Sequence, residues 1–365
     1  MIYLDYQATT PLAPEARAAM LPWLAGPDAP GFANPHSPHR PGRAAAAAIE
    51  VAREQVAALL PPGGRVIFTG SATEALNLAI FGQTFGGRPF GQIAVSALEH
   101  AAVLDTAAAS GARVHALVSD GAGLVGVDQP LPEGTGLVAV MQVNNEIGTI
   151  QPVGEWAARA HRAGALFLCD AVQGAGRIAP PEGADLIALS AHKLYGPKGI
   201  GALWLRDGLD LAPLIHGGGQ EGGLRSGTLS PALCAGFGAA AALAHARMAA
   251  DAAHVEGLWR YARALLGDRW TLNGSAEARW HGNLNLRREG LDVARLMSDL
   301  RDVAFSAGSA CASGSGRPSH VLRAIGLTPA QAKASVRIGF GRYTTTEQME
   351  DACARINVAA AAQGV

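Results

Sequence analysis

Seven short apolar runs, Arg65–Thr69, Gln92–Ser96, Val114–Leu117, Leu137–Gln142, Ala165–Cys169, Leu186–Ser190 and Ala202–Leu205, are spaced along the chain, with alanine-rich stretches of helical period between many of them. The runs are continuous rather than alternating, so each is expected to be a strand buried on both faces. Parallel strands need crossovers longer than a tight turn. Segments such as Ala44–Leu60, Thr73–Phe81 and Glu155–Ala163 supply helices of that length. The fold class is therefore α/β, a mostly parallel central sheet covered by helices. After an alanine-rich helix expected over Pro231–Ala250 the pattern changes. Strands at His281–Leu286, Val303–Phe305 and Val336–Phe340 mix with helices at Asp292–Leu300 and Gln348–Ala361. This reads as a smaller α+β domain, residues 1–14 and 249–365, beside a large α/β domain of residues 15–248, with no linker rich in Pro, Ser or charge and no internal repeat.

At 365 residues, 49% hydrophobic and 16% charged, the chain has enough apolar surface for an enzyme-sized body. Its 29 basic and 30 acidic residues leave a formal net charge of −1, which offers no global field to nucleic acid or an anionic membrane. Small molecules or other proteins are the expected partners. The opening Met1-Ile-Tyr-Leu-Asp-Tyr has no basic region before an apolar run, and no stretch approaches the ~20 apolar residues that span a bilayer, so a cytoplasmic location is expected. Cys169, Cys234, Cys311 and Cys353 form no C-x-x-C pair, which argues against a structural zinc site or a disulfide framework.

Two successive strands end in reactive groups. Leu166-Phe-Leu-Cys-Asp170 delivers a carboxylate to the strand's C-terminal end, where open α/β sheets bind ligands. Asp185-Leu-Ile-Ala-Leu-Ser190-Ala-His192-Lys193 delivers an amine to the same edge. Pyridoxal phosphate requires that pair: an amine to hold its aldehyde and an anion to keep its pyridine nitrogen protonated. An isolated Asp or Lys would be an ordinary cap or a solvated loop residue. Three further features argue otherwise. Thr69-Gly-Ser-Ala72-Thr73-Glu opens a helix after a strand and offers backbone N–H groups to a phosphate. Leu98-Glu-His100 brings an imidazole to the edge that carries Asp170. Met141-Gln-Val-Asn-Asn145-Glu-Ile-Gly148 ends another strand in amide side chains.

These residues resemble the cysteine desulfurases of iron–sulfur cluster assembly, the NifS/IscS type of the class V aminotransferase family, within the fold-type-I pyridoxal-phosphate enzymes. The resemblance runs through Tyr3-Leu-Asp-Tyr-Gln-Ala-Thr-Thr-Pro, Asn34-Pro, Ala72-Thr73-Glu74, Glu99-His100, Val143-Asn-Asn-Glu-Ile-Gly, Ala191-His-Lys-Leu-Tyr-Gly-Pro-Lys-Gly, Leu224-Arg-Ser-Gly-Thr228, Ser309-Ala-Cys311 and Gly341-Arg342-Tyr-Thr. It implies that Ala72, Thr73, Ser190 and His192 contact the phosphate, that Asn145 and Gln173 bind ring substituents, and that His100 stacks on the ring and shuttles protons. Thr228 would reach the phosphate of a neighbouring subunit, which implies a homodimer. Asn34 and Arg342 would bind the substrate, the latter as a bidentate fork on its carboxylate.

Cys311 lies in Ser306-Ala-Gly-Ser-Ala-Cys-Ala-Ser-Gly-Ser-Gly-Arg-Pro, a run of small residues with few side chains to pin it to a core, whereas Cys169, Cys234 and Cys353 have apolar or amphipathic surroundings. The resemblance makes Cys311 the nucleophile: its thiolate takes sulfur from L-cysteine, alanine departs, and a persulfide awaits a sulfur acceptor or iron–sulfur scaffold protein. No metal site is assigned beyond transient ligation of a shared iron–sulfur cluster by Cys311. Selenocysteine lyase and class V aminotransferase are the neighbouring alternatives, and a non-catalytic scaffold is the alternative from another class. Where the family commonly reads Ser-Gly-Ala-Thr, this chain reads Gly70-Ser71-Ala72-Thr73, and it stops at Val365 without the extended tail by which relatives dock their scaffold. Gly121-Ala-Gly-Leu-Val-Gly126 spells G-x-G-x-x-G but leads into no helix, and His36, His39, Arg40 and Arg43 are expected at the surface or in a dimer contact.

Overall fold

The computed structural model describes residues 1–82, 84–85, 88–308 and 319–365. Its main sheet has seven strands in the order Gly64–Thr69, Gly201–Arg206, Leu186–Ser190, Leu166–Asp170, Thr135–Ala139, Gln92–Ser96 and Arg113–Leu117. All seven overlap the apolar runs, but Thr135–Ala139 ends three residues before the run Leu137–Gln142 does, and Arg113–Leu117, at the edge of the sheet, is mostly exposed rather than buried on both faces. The last five run parallel, while Gly201–Arg206 is antiparallel to both of its neighbours. The reason is connectivity: residues 191–200 contain only a short 3-10 turn, and a chain that returns without a crossover helix must pair antiparallel.

Successive residues of the buried strands feed opposite faces. Ile187 and Leu189 join Phe68, Phe167, Trp156 and Phe237 in one core, while Leu186 and Ala188 join Leu76, Leu78, Ile93 and Leu203 in another. Continuous apolarity is the pattern this sandwiching demands. A second sheet, Thr271–Leu272, Asn283–Arg287, Ser335–Gly339 and Ser306–Ala307, is wholly antiparallel and packs Leu284, Leu286, Val336 and Ile338 against Met349 and Ile356 of the Thr346–Ala361 helix. Val303–Ala304 lies outside that sheet and pairs in parallel with Ile2–Tyr3.

The helix from Pro231 does not end at Ala250 but continues to Leu266. Cys234, Phe237 and Ala241 pack into the first core and Val255, Leu258 and Ala262 into the core of the second sheet, so apolar faces on two bodies sustain one helix. By length and composition this helix could cross a bilayer, contrary to the expectation above, and 44% of its most apolar window is buried in the protein. Gly121–Gly126 forms a turn in which Asp120 Oδ1 accepts the Ala122 and Leu124 N–H groups, as its sequence context suggested. His36, His39, Arg40 and Arg43 are exposed at the start of the Arg40–Ala57 helix.

Trp156 is fully buried and its Nε1 donates to Val125 O at 2.9 Å. Trp156→Ala should lower stability by ~3–5 kcal/mol, measured by urea denaturation.

Candidate active site

Strand register assembles the site. Gly201 lies opposite both Thr69 and Ser190, so the loop after Thr69 and the turn after Ser190 meet at the carboxyl edge of the sheet. A cavity of ≈ 310 Å³ opens there, lined by Ser71, Ala72, Thr73, His100, Asn145, Asp170, Gln173, Ser190, His192 and Lys193, with Gln7, Ala8, Met141 and Arg337 among its other walls. All nine residues expected at the cofactor besides Thr228 line this one space.

The phosphate loop is shaped by capping. Ser71 Oγ accepts the Glu74 N–H at 3.1 Å and begins the Ala72–Phe81 helix; Glu74 Oε2 reaches back to the Gly70 N–H at 2.7 Å, and Arg225 Nε holds Glu74 Oε1 at 2.6 Å. The exchanged Gly70-Ser71 order therefore puts the serine at the cap. A Cβ on Gly201 would sit 2.5 Å from Ser71 C and 2.6 Å from Ala72 N, so only glycine lets the strand approach this loop.

Lys193 ends the turn Ala191–Lys193, and its Nζ donates to the carbonyls of Gln7 and Ala8 at 2.6 and 2.7 Å. Arg177 Nη2 donates to Lys193 O at 2.7 Å. The same N-terminal segment fixes His192, whose carbonyl accepts from Thr10 N and Oγ1 and whose Nδ1 lies 3.1 Å from Thr9 Oγ1. Burial, with Lys193 and Lys198 adding to it, pushes the His192 imidazole down to about 4, so it is neutral at ordinary pH. Gln173 is held at both ends of its amide, donating to Gln7 O and accepting from Arg177 Nη1. His100 Nδ1 caps the Ala101–Ala109 helix by accepting the Ala102 N–H at 3.1 Å, which leaves Nε2 as the protonated nitrogen of the neutral ring.

Asp170 accepts the Val172 N–H at 2.9 Å, and burial pushes its carboxyl up while that bond, His100 and Lys193 pull it down. A cationic ring nitrogen brought beside it would supply the charge that burial withholds. With the Gly201 cradle and the helix N-terminus opposite, the residues fit pyridoxal phosphate.

Two residues expected at the substrate lie outside this chain's own cavity. Arg342 does not line the cavity: its Nε donates to Asp251 Oδ2 at 2.8 Å, its Nη2 lies 2.7 Å from the same oxygen, and its guanidinium sits 4.2 Å from the Tyr195 ring centroid. Asp251 lies on the part of the Pro231–Leu266 helix beyond its expected end, so the competing partner was not visible in the sequence. Asn34 is exposed, and its Oδ1 accepts the His36 N–H in the loop before the Arg40–Ala57 helix. The arginine at the cavity is Arg337, 1% exposed, with Nη1 on Asn145 O at 3.0 Å and Nη2 on Asp5 Oδ1 at 2.9 Å. Its signal was a charged residue inside the apolar strand Val336-Arg337-Ile338. Thr228 is exposed and does not line this chain's own cavity. Cys311 lies outside the described residues. Burial pushes the thiols of the other three cysteines up, Cys234 and Cys353 to about 12 and Cys169 well above its usual range, in keeping with core positions.

The aminotransferase class-V family model matches residues 2–351. The chain belongs to that family, one of pyridoxal-phosphate enzymes. Cysteine desulfurase IscS of Rickettsia bellii is 40% identical over 378 residues, 98% of this chain and 91% of that protein. Among solved structures, a NifS-like protein matches with a TM-score of 0.88 at 30% identity over 98% of both chains. SspA in complex with cysteine matches with a TM-score of 0.82 at 34% identity, covering 94% of this chain and 100% of that one.

Glu99 went unassigned beside His100. It is 1% exposed, its Oε1 accepts the Met141 N–H at 2.6 Å, and burial, reinforced by Asp170, pushes its carboxyl up to about 8. A carboxyl that rises from 4.5 to about 8 on folding binds its proton more tightly in the folded state, so stability falls as pH rises through that window and levels off above it. Glu99→Gln should remove this slope and gain on the parent as pH rises, measured by urea denaturation at about pH 5 and about pH 9.

Proposed function

We propose that the protein is a pyridoxal-phosphate-dependent cysteine desulfurase that converts L-cysteine to L-alanine and leaves a persulfide on Cys311. The observation that carries this reading is the convergence of Lys193, Asp170 and the Ser71–Thr73 helix start on one cavity, in a chain whose relatives are named cysteine desulfurases. When bound through Lys193, the cofactor supplies an electron sink for charge that develops at the substrate α-carbon.

The chain's own residues supply the rest. Ala72 and Thr73 offer backbone N–H groups, and Ser190 and His192 offer side chains, to the phosphate. Asp170 balances the ring nitrogen, and Asn145 and Gln173 serve the ring substituents. His100 walls the cavity, and its ring moves a proton during turnover. Arg337 receives the substrate carboxylate, since its planar fork is held by Asp5 and Asn145 O and faces the cavity. Lys193 Nζ, released from the carbonyls of Gln7 and Ala8, moves the α-proton. The Cys311 thiolate then attacks the substrate sulfur. A sulfur–sulfur bond forms as the substrate Cβ–S bond breaks, and Cβ takes up a proton to complete alanine. The persulfide passes to a sulfur-acceptor or iron–sulfur scaffold protein. The working form is a cytoplasmic homodimer in which the exposed Thr228 reaches the phosphate of the neighbouring subunit.

Lys193→Ala should abolish the lysine-dependent visible absorbance and all cysteine-dependent alanine and sulfide release. Cys311→Ser should retain that absorbance but lose at least ~10²-fold in sulfide release. Intact-protein and peptide mass spectrometry after incubation with cysteine should find one added sulfur on the Cys311 peptide. Full turnover by Cys311→Ser, or a requirement for an oxo-acid with no sulfide produced, would overturn the proposal. Arg337→Lys should raise KM for cysteine roughly tenfold, measured by steady-state kinetics.

A further inference from the structure

Tyr195 stands two positions after Lys193 with φ 69, a left-handed conformation that β-carbon sterics disfavour; Glu221 is the only other non-glycine residue with positive φ among the described residues. The conformation makes a tight return possible, because the N–H groups of Leu194 and Gly196 both donate to Ala191 O, at 3.0 and 2.9 Å. That return fixes the backbone from which the Lys193 side chain departs.

The contacts that hold Tyr195 come from outside its own turn. Its hydroxyl accepts the Arg342 N–H at 2.8 Å, and the Arg342 guanidinium lies over its ring. A Cβ on Gly341 would stand 2.3 Å from that hydroxyl, so the Gly341-Arg342 pair is shaped to receive it. Asp251 Oδ2 grips Arg342, and its Oδ1 accepts from Arg247 at 3.2 Å. On the other side Thr10 Oγ1 accepts the Tyr195 N–H at 2.7 Å, and the Tyr343 ring meets the tyrosine edge-on at 5.4 Å.

We propose that Tyr195, locked by Arg342 and Asp251, is a positioning residue that aims the Lys193 amine, which gives Arg342 a task other than substrate binding. The inference rests on Lys193 being the cofactor lysine. The lock spans separate parts of the chain: Arg342 follows the last strand of the small sheet, Asp251 lies on the Pro231–Leu266 helix, and Tyr195 follows the main sheet. The aim of the amine therefore depends on how those parts are packed together.

The test is a pH titration of the lysine-dependent visible absorbance of holoenzyme, with sulfide-release kinetics, for the parent, Tyr195→Phe, Asp251→Asn and the double variant. Each single substitution should move the titration midpoint by about half a unit or more and lower kcat ~5–50-fold, while KM for cysteine stays within about twofold. The double variant should be no worse than the more severe single one, since both act through one chain of contacts. Midpoints and kcat within experimental error of the parent, whatever the change in thermal stability, would overturn the inference and leave a packing role. Should Asp251→Asn fail to fold, Tyr195→Phe decides alone, because it removes only a hydroxyl. A parent whose absorbance survives in Lys193→Ala overturns the cofactor reading and this inference together.

Discussion

The site depends on a lysine whose ammonium is held by the backbone of a distant segment. Lys193 Nζ donates to Gln7 and Ala8 carbonyls, and hydrogen bonds to a charged group are worth ~1.5–3 kcal/mol each, enough to offset part of the cost of drawing an ammonium out of water. The same strap carries Thr9 and Thr10 to His192 and the Lys193 turn, Gln7 to Gly282 O, and Asp5 to Arg337. One stretch of chain thus sets the distance between the amine and the guanidinium that would receive a substrate carboxylate.

Around that strap the charges are sorted by protonation as much as by position. Asp170, Glu99 and Glu146 are all buried near the cavity, and burial pushes all three carboxyls up. They are distinguished by their neighbours. Asp170 has His100 and Lys193 opposing that rise, whereas Glu99 has Asp170 adding to it. With Glu99 near 8, it is mostly protonated at neutral pH, which removes one like charge from beside Asp170. Glu146 accepts from Ser319 Oγ, and Asn144 Oδ1 accepts the N–H groups of Glu146 and Ile147, so the Asn144–Ile147 turn that carries Asn145 is fixed from within.

Arg342 and Arg337 illustrate how far motif reading reaches. Both lie in Ser335–Gly339 or the residues just after it, both suit a carboxylate, and nothing local separates them. The difference is one of place: the extended helix brings Asp251 to Arg342 at 2.8 Å away from the cavity, while Arg337, itself paired with Asp5, lines it. Asn34 is placed outside this chain's cavity in a loop, where its short polar side chain accepts the His36 N–H. Lys193, Asp170, His100, Asn145 and the phosphate loop could be read because each lies at the end of a strand or in the segment that follows it, and strand ends of one parallel sheet share an edge whatever the remaining packing.

The sequence by itself determined the seven strands of the main sheet and the edge to which Asp170 and Lys193 are carried, because an apolar run has few places to go and its C-terminal residue is carried with it. Only the tertiary structure decided that the N-terminal strap holds the lysine, that Arg337 rather than Arg342 faces the cavity, and that Arg342 locks a left-handed Tyr195. Those outcomes turn on competition among partners brought together across hundreds of residues, and a long side chain's choice is set by which partner arrives within about 3 Å.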